Sequence, residues 1–318
     1  MERRCLCCYE PLESGETDFH PKCSRKMFGT ATPPLLPYDE NQLDELALEV
    51  VRSHTAITGV QPKLSLHLAS NGKTRSPQRF TIVGLWGGYI LKPPSPRFPQ
   101  LPEIEDLTMH MAEELRIATV PHSLIRMKSG TLAYLTRRID RTKKGKLHME
   151  DMCQITGRLT ENKYDGSYEQ IAKAIRRFSV NPGFDVINFF EMVLFCFLTG
   201  NADMHLKNFS LIDIPEKEGV NLAPAYDLVS TALVMPSDDE ELALTLNGKK
   251  KRLMLTDFQA ALKTLSVDEV VQDRVFRKFS KARPALENLI DKSFLDPELK
   301  LAYKELVIKK YRQIGLAS

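Results

Sequence analysis

Between residues 200 and 211 the chain reads GNADMHLKNFSL, which puts Asp203, His205, Lys207 and Asn208 within six positions. FSLID then reads as a short strand that opens a hairpin, and a further acid, Asp227 in APAYDLVS, follows 24 residues after Asp203. These are the parts of a phosphoryl-transfer site. One carboxylate accepts the proton of an attacking hydroxyl, while an amide oxygen and a second carboxylate offer hard oxygen ligands to Mg2+. The spacing from Asp203 to Asn208 equals the Asp-to-Asn spacing of the protein-kinase catalytic loop. That pair alone is equally compatible with a polar turn that caps helices, so the chemistry needs further parts. Lys92, at the end of the strand-like GYILKPP, is a candidate: a strand-borne lysine suits contacts to nucleotide phosphates, although taken alone it reads more simply as a solvated strand-end lysine. Glu105, 13 residues on, is either its partner or a first-turn carboxylate favoured by the helix dipole. Upstream, SHTAITGVQPKLSL supplies Gly59 for close backbone approach and Thr58, Gln61 and Lys63 for polar contacts, without forming a G-x-G-x-x-G loop.

A second cluster opens the chain. Cys5, Cys8, His20 and Cys23 are spaced C-x2-C-x11-H-x2-C. Two short spacings let two knuckles wrap one tetrahedral Zn2+, and a unit this small gains its stability from the metal. Cys7 is an extra thiol that substitutes for Cys5 or Cys8 in an alternative ligand set. The competing reading is free thiols beside an unrelated histidine.

The elements that must position these residues fall into a strand-rich and a helical part. QPKLSLHLAS broken by NGK reads as a hairpin, GYILKPP as a strand stopped by two prolines, and HSLIRM and TLAYLTRRI as strands. PEIEDLTMHMAEELRI reads as a helix, with Leu107, Met111 and Leu115 four apart. From about residue 151 the periodicity turns helical. SYEQIAKAIRRF and the nearly all-apolar DVINFFEMVLFCFL come first, then TDFQAALKTL, SVDEVVQDRVFRKFSKA, ALENLIDKSF and a last helix from PELKLAYKEL onward. The expected fold is α+β and two-lobed: residues 1–29 a Cys/His unit, 30–41 a proline-rich linker, 42–150 a β-rich N-lobe, and 151–318 an all-helical C-lobe.

With 318 residues, 27% charged, a net charge of +3 and a pI near 8.4, the chain has an ordinary globular composition and too mild a charge to argue for nucleic-acid binding. No uninterrupted apolar run reaches ~18 residues, and MERRCLCC lacks an apolar leader, so a cytoplasmic protein without a membrane span is expected. RTKKGK and NGKKKR read as solvated turns or, less simply, a docking surface. Cys153 and Cys196 read as buried thiols, and Trp86 as turn packing.

The segments TGVQPKLSL, YILKPP, TRRIDR, MEDMCQ, GNADMHLKNFSL and PAYDLVS, in that order, resemble the HipA family of bacterial toxin kinases. The resemblance implies a protein-kinase-like fold that uses ATP and Mg2+ to phosphorylate serine or threonine of a protein substrate, such as an aminoacyl-tRNA synthetase. It implies a HipB-like DNA-binding antitoxin as partner, so that DNA is met only indirectly. By resemblance Asp203 is the catalytic proton acceptor, Asn208 and Asp227 hold Mg2+, and Lys92 meets the ATP phosphates. Thr58, Gly59, Val60, Gln61, Pro62 and Lys63 match the ATP loop, and Glu150, Asp151 and Met152 match the hinge that meets adenine through backbone groups. His205, Leu206, Lys207 and Tyr226 fall on further nucleotide positions. Arg137, Asp140 and Arg141 match a motif read as a structural ion pair.

Two departures matter. The serine that longer HipA members autophosphorylate is replaced by Ala56, which leaves Thr58 as the candidate acceptor, as in the shorter HipT-like members, with Thr55 and Ser53 behind it. Phosphate there adds roughly two negative charges close to the ATP loop. Only about 50 residues precede that loop, so the chain looks like the core kinase of a split system whose missing β-rich part comes from a small HipS-like companion. Two other readings share these residues: a catalytically silent ATP-binding module of an antitoxin–DNA complex, and a small-molecule or lipid kinase.

Overall fold

LSLHLA alternates and so has one buried side, whereas the apolar runs after it are buried at consecutive positions, on both faces of the same antiparallel sheet. In the computed structural model, which describes residues 3–43, 45–46, 63–69, 78–83, 87–142, 144–217, 219–237 and 239–316, the chain divides into two compact units. The first comprises Met1–Asp106, Val120–Ile139 and Lys292–Phe294, and the second Leu107–Thr119, Asp140–Asp291 and Leu295–Ser318.

The first unit holds strands β1 (Leu64–Ala69), β2 (Arg79–Ile82), β3 (Tyr89–Lys92), β4 (His122–Arg126) and β5 (Leu132–Arg137), in the order β2-β1-β3-β5-β4. The register puts Leu64 opposite Leu91, Leu68 opposite Phe80 and Lys92 opposite Tyr134. Gly87 lets the chain pass close to β1, since a Cβ there would collide with the Leu66 carbonyl. The Cys/His segment does not stand apart. Its helix α1 (Pro21–Phe28) starts with proline and stops at the left-handed Gly29. Leu6, Phe19, Met27 and Phe28 then share one core with Leu66, Phe80, Leu91 and Leu135. The Tyr89 hydroxyl donates to the Met27 carbonyl at 3.0 Å, and the Leu124 amide to the Leu6 carbonyl at 3.1 Å. The proline-rich stretch also packs: the Leu35 and Phe80 amides exchange hydrogen bonds with the Gln78 and Leu35 carbonyls. A segment so short has too little apolar surface to form a core alone, so it borrows the sheet. Helix α2 (Leu101–Glu114) carries Glu105.

The second unit is helical as expected, though not all-helical. Strands β8 (Met149–Asp151), β9 (Ser210–Ile214) and β10 (Gly219–Leu222) form a three-stranded sheet, and β6 (Arg141–Thr142) pairs with β7 (Gly145–Lys146). The strand read at FSLID is β9, while strands of two to four residues are too short to show a period against a helical background. A four-residue turn, α3 (Met152–Ile155), precedes α4 (Tyr168–Phe178), which begins at a Ser167/Gln170 capping box. Helix α5 (Pro182–Thr199) is the one helix among the described residues long and apolar enough to cross a membrane by length and composition. Asp185, Asn188 and Glu191 interrupt its apolar run, and Phe189, Phe190 and every residue from Met192 to Thr199 are buried inside the unit. A short α6 (Thr231–Val234) and α7 (Leu255–Thr264) follow. The two helices expected across 266–295 are one, α8 (Glu269–Lys292), which runs through Pro284. Proline lacks the N–H that would bond back one turn, but neighbouring turns carry the helix across the gap. Helix α9 (Pro297–Gln313) closes the unit.

Candidate active site

Helix α5 ends where the polar loop begins, and Gly200 is the reason it can. Its φ of 68° is left-handed, and a Cβ there would sit 2.8 Å from Leu306 Cδ2 and 2.9 Å from the Ala232 Cβ. The loop is then tied down atom by atom. The Ala202 amide donates to Thr231 Oγ1 at 2.8 Å, and the Asp203 amide to Asn201 Oδ1 at 3.1 Å. The Asn208 side-chain amide donates to the Asp203 carbonyl at 3.0 Å, which turns its Oδ1 away from that contact. Tyr168 Oη holds the Met204 carbonyl at 3.0 Å. Asp203 and Asn208, five positions apart, are thereby locked in one rigid turn that closes as a 3-10 helix over Leu206–Asn208.

Around that turn lie the other residues singled out in this part of the chain. The Tyr164 hydroxyl donates to Asp203 Oδ1 at 2.6 Å, and its ring meets the His205 ring edge-on at 5.1 Å. Nothing in the local sequence pointed to Tyr164, which lies 39 positions from its partner. His205 is 6% exposed, and burial drives its pKa down to about 4, so it is neutral at physiological pH. Its Nδ1 is buried with no hydrogen-bond partner among the described residues, and neither has the Asn201 side-chain nitrogen. Buried polar atoms are normally satisfied, so these two are exceptions within the loop that carries Asp203. Lys207 pairs with Asp151 at 2.8 Å, and Tyr226 Oη donates to the Lys207 carbonyl at 3.1 Å while sharing a 2.6 Å hydrogen bond with Ser210. Burial pushes the Tyr226 pKa up. Asp227 is half-buried and left-handed, with φ 56°, a conformation uncommon outside glycine that aspartate adopts more readily than most residues.

The residues matched to the hinge sit on β8, where Glu150 lies opposite Leu211 and Asp151 opposite Ser210. The Asp151 amide donates to Gln154 Oε1 at 2.9 Å, and the Met152 amide to the Phe209 carbonyl at 2.9 Å. Both N–H groups are therefore committed within the unit. Asp140 pairs with Arg141 at 2.5 Å. Arg137, in the other unit, reaches the Lys26 carbonyl at 3.4 Å.

In the first unit Lys92 and Glu105 form a buried ion pair, 4% and 2% exposed, with Nζ also 5.4 Å from the centre of the Tyr134 ring. Register decides this: Lys92 is the last residue of a central strand and lies opposite Tyr134. Ser53, Thr55, Thr58, Gly59, Val60, Gln61 and Pro62, together with Trp86, lie outside the described residues. Lys63 is exposed immediately before β1.

The cysteine cluster is assembled as its spacing implied. Ligand atoms of Cys5, Cys8, His20 and Cys23 lie within 4.8 Å of one another. His20 Nδ1 is 3.4 Å from Cys8 Sγ and 3.8 Å from Cys23 Sγ, near the roughly 3.5 Å edge of a tetrahedral Zn2+ site. His20 Nε2 faces the Pro11 carbonyl at 2.9 Å, which places its hydrogen there and leaves the Nδ1 lone pair for the thiols. A hydrogen bond from Cys8 lowers the Cys5 pKa to about 5, and the same contact raises that of Cys8. This donor set fits Zn2+. Cys7 is absent from it.

Comparison with known proteins follows the same lines. The profile of the HipA-like C-terminal domain matches residues 55–288. The Sinorhizobium fredii protein named "Putative kinase Y4dM" is 32% identical over 239 residues, covering 71% of this chain and 56% of that protein. The serine/threonine-protein kinase toxin HipA of Shewanella oneidensis is 29% identical over 214 residues, 61% of this chain and 47% of the toxin. The chain thus spans about half the length of these curated relatives. Among solved structures, a chain from the Shewanella oneidensis MR-1 toxin–antitoxin complex of HipA, HipB and operator DNA superposes with a TM-score of 0.66 at 21% identity. That match covers 95% of this chain and 79% of the other, and it establishes a shared fold.

Proposed function

Because the chain belongs to the HipA-like C-terminal domain family, we propose that it is an ATP- and Mg2+-dependent protein serine/threonine kinase acting as the toxin of a HipA- or HipBST-like toxin–antitoxin system. The observation that carries this reading is the locked turn in which the Asn208 side-chain amide donates to the Asp203 carbonyl and so holds the two residues on one fixed loop. Asp203 orients the acceptor hydroxyl and takes its proton. Asn208 Oδ1 and the Asp227 carboxylate hold Mg2+, which offsets charge on the nucleotide phosphates. Lys92, kept in place by Glu105, contacts the phosphates. Neutral His205, Lys207 and Tyr226 line the nucleotide's path, and Glu150 to Met152 meet the base through groups other than the Asp151 and Met152 N–H, which are already bonded.

The protein acts in the cytoplasm on a translation component such as an aminoacyl-tRNA synthetase. A HipB-like antitoxin silences it, a small HipS-like companion binds it, and Thr58, Thr55 or Ser53 takes phosphate in cis. The Cys5, Cys8, His20 and Cys23 set holds a structural Zn2+.

Intact-mass and peptide mass spectrometry after incubation with ATP and Mg2+ tests the kinase reading. The wild type is expected to gain phosphate within residues 53–58. Asp203→Asn is expected to gain none, yet to bind ATP within a few-fold of the wild type. Equal phosphate gain in Asp203→Asn removes Asp203 from its role. A wild type that phosphorylates neither itself nor any protein of a host extract overturns the reading.

A further inference from the structure

Tyr9 follows Cys8 directly and is 1% exposed, with a left-handed φ of 62°. The turn that imposes this conformation closes with the Tyr9 amide on the Cys5 carbonyl at 3.0 Å, so the direction of the phenol depends on the first cysteine knuckle. The Tyr9 ring packs edge-on against Phe294, with centroids 5.2 Å apart. Its hydroxyl donates to Asp106 Oδ2 at 2.7 Å. Asp106 is fully buried and takes a second hydrogen bond on Oδ1 from His122 Nδ1, also at 2.7 Å. Asp106 is the residue after Glu105 on α2, and Glu105 is the partner of Lys92. The circuit closes through the sheet: the His122 ring stacks on Tyr134 at 6.0 Å, and Lys92 lies over the same Tyr134 ring.

Two consecutive helical residues project about 100° apart around the axis. Fixing the Asp106 carboxylate on two donors from different elements therefore fixes the rotation of α2 about its own axis. The same rotation decides whether Glu105 meets Lys92. A buried carboxylate that loses one of its donors is costly, so the helix has reason to turn when the phenol is withdrawn.

We propose that Tyr9 is a positioning residue for phosphoryl transfer. The cysteine knuckle, closed on its metal, aims the phenol at Asp106 and so holds α2 at the rotation where Glu105 engages Lys92. This rests on the kinase and zinc readings given above. It gives the N-terminal segment a part in activity beyond stabilising its own fold.

The test uses the full chain as wild type, Tyr9→Phe, Asp106→Asn and Glu105→Gln, with zinc content, amide hydrogen exchange and Mg-ATP affinity measured for each. Tyr9→Phe keeps the ring and its packing and loses only the donor. It is expected to retain wild-type zinc, to raise amide exchange within 103–108 at least about tenfold, and to weaken Mg-ATP binding by roughly tenfold, the scale of one hydrogen bond to a buried charge. Asp106→Asn, which leaves the knuckle untouched, is expected to do the same. In the Glu105→Gln background, Tyr9→Phe is expected to change affinity by less than about twofold, because the link it acts through is already cut. Wild-type exchange in a zinc-loaded Tyr9→Phe overturns the proposal. So does faster exchange with unchanged ATP affinity, or an affinity loss that simply adds to that of Glu105→Gln, as generic destabilisation would. A wild type that binds no ATP overturns the kinase reading and the last link here, while the exchange comparison still decides whether the knuckle holds the helix.

Discussion

Lys92 and Glu105 are both almost completely buried, and this makes them a sensitive place to separate stability from chemistry. Replacing Lys92 with Met leaves the Glu105 carboxylate buried without its ammonium partner, and Glu105→Leu strands Lys92. Removing one member of a buried pair costs roughly 3–5 kcal/mol, because the remaining charge has lost both its partner and its water. For a unit of this size each kcal/mol moves the melting temperature by about 2–4 °C, so either single variant should melt about 6–20 °C below the wild type. The double variant Lys92→Met/Glu105→Leu removes both charges and both desolvation penalties. It should recover to within about 1–2 kcal/mol of the wild type, since replacing a buried pair by apolar groups of similar volume is often neutral. Its Mg-ATP binding should not recover, because no ammonium remains for the phosphates. Thermal unfolding followed by circular dichroism, with nucleotide binding by calorimetry, reads both quantities on the same samples. A double variant that melts as low as the worse single would show that the loss came from packing and not from a stranded charge. A double variant that binds ATP like the wild type would remove Lys92 from the nucleotide site.

Cys8→Ser, or exhaustive chelation of the wild type, should release one equivalent of zinc and lower the melting temperature of the first unit, because α1 and the knuckle share the core of the sheet; metal analysis with a melting curve checks it, and full stability without zinc would contradict it. Glu103, in the first turn of α2, has its pKa raised by burial to about 7. The folded state thus keeps this proton to higher pH than the unfolded chain does, and the associated stability is full below about pH 4.5 and lost as pH rises through 7. Glu103→Gln should accordingly stabilise the protein at pH 8.5 by at most about 3 kcal/mol and by much less at pH 5.5. Urea titrations at the two pH values give the comparison, and a gain independent of pH would refute this assignment.

Much of this protein is local and was open to reading from residue order alone. The Asp203–Asn208 turn, the C-x2-C and H-x2-C pairs and the start of α2 at LPEIED each lie within a few positions, where spacing and side-chain type already imply a turn, a ligand set or a helix. Periodicity carried α4 for the same reason, and a continuous apolar run carried α5. Periodicity failed at Pro284, where a strong local breaker was overruled by packing on both sides, and at β8, which is too short to show a period, whereas FSLID already read as the strand that is β9. What only the folded chain decided are the pairings across long stretches. Tyr164 meets Asp203 across 39 positions, and Tyr9 meets Asp106 across 97. Each of these contacts depends on strand register, on helix rotation and on where a loop closes. Those quantities are fixed by the burial of many side chains at once, so no single segment of sequence contains them. The residue types that could do chemistry were therefore visible in one dimension, and the partners that aim them exist only in three.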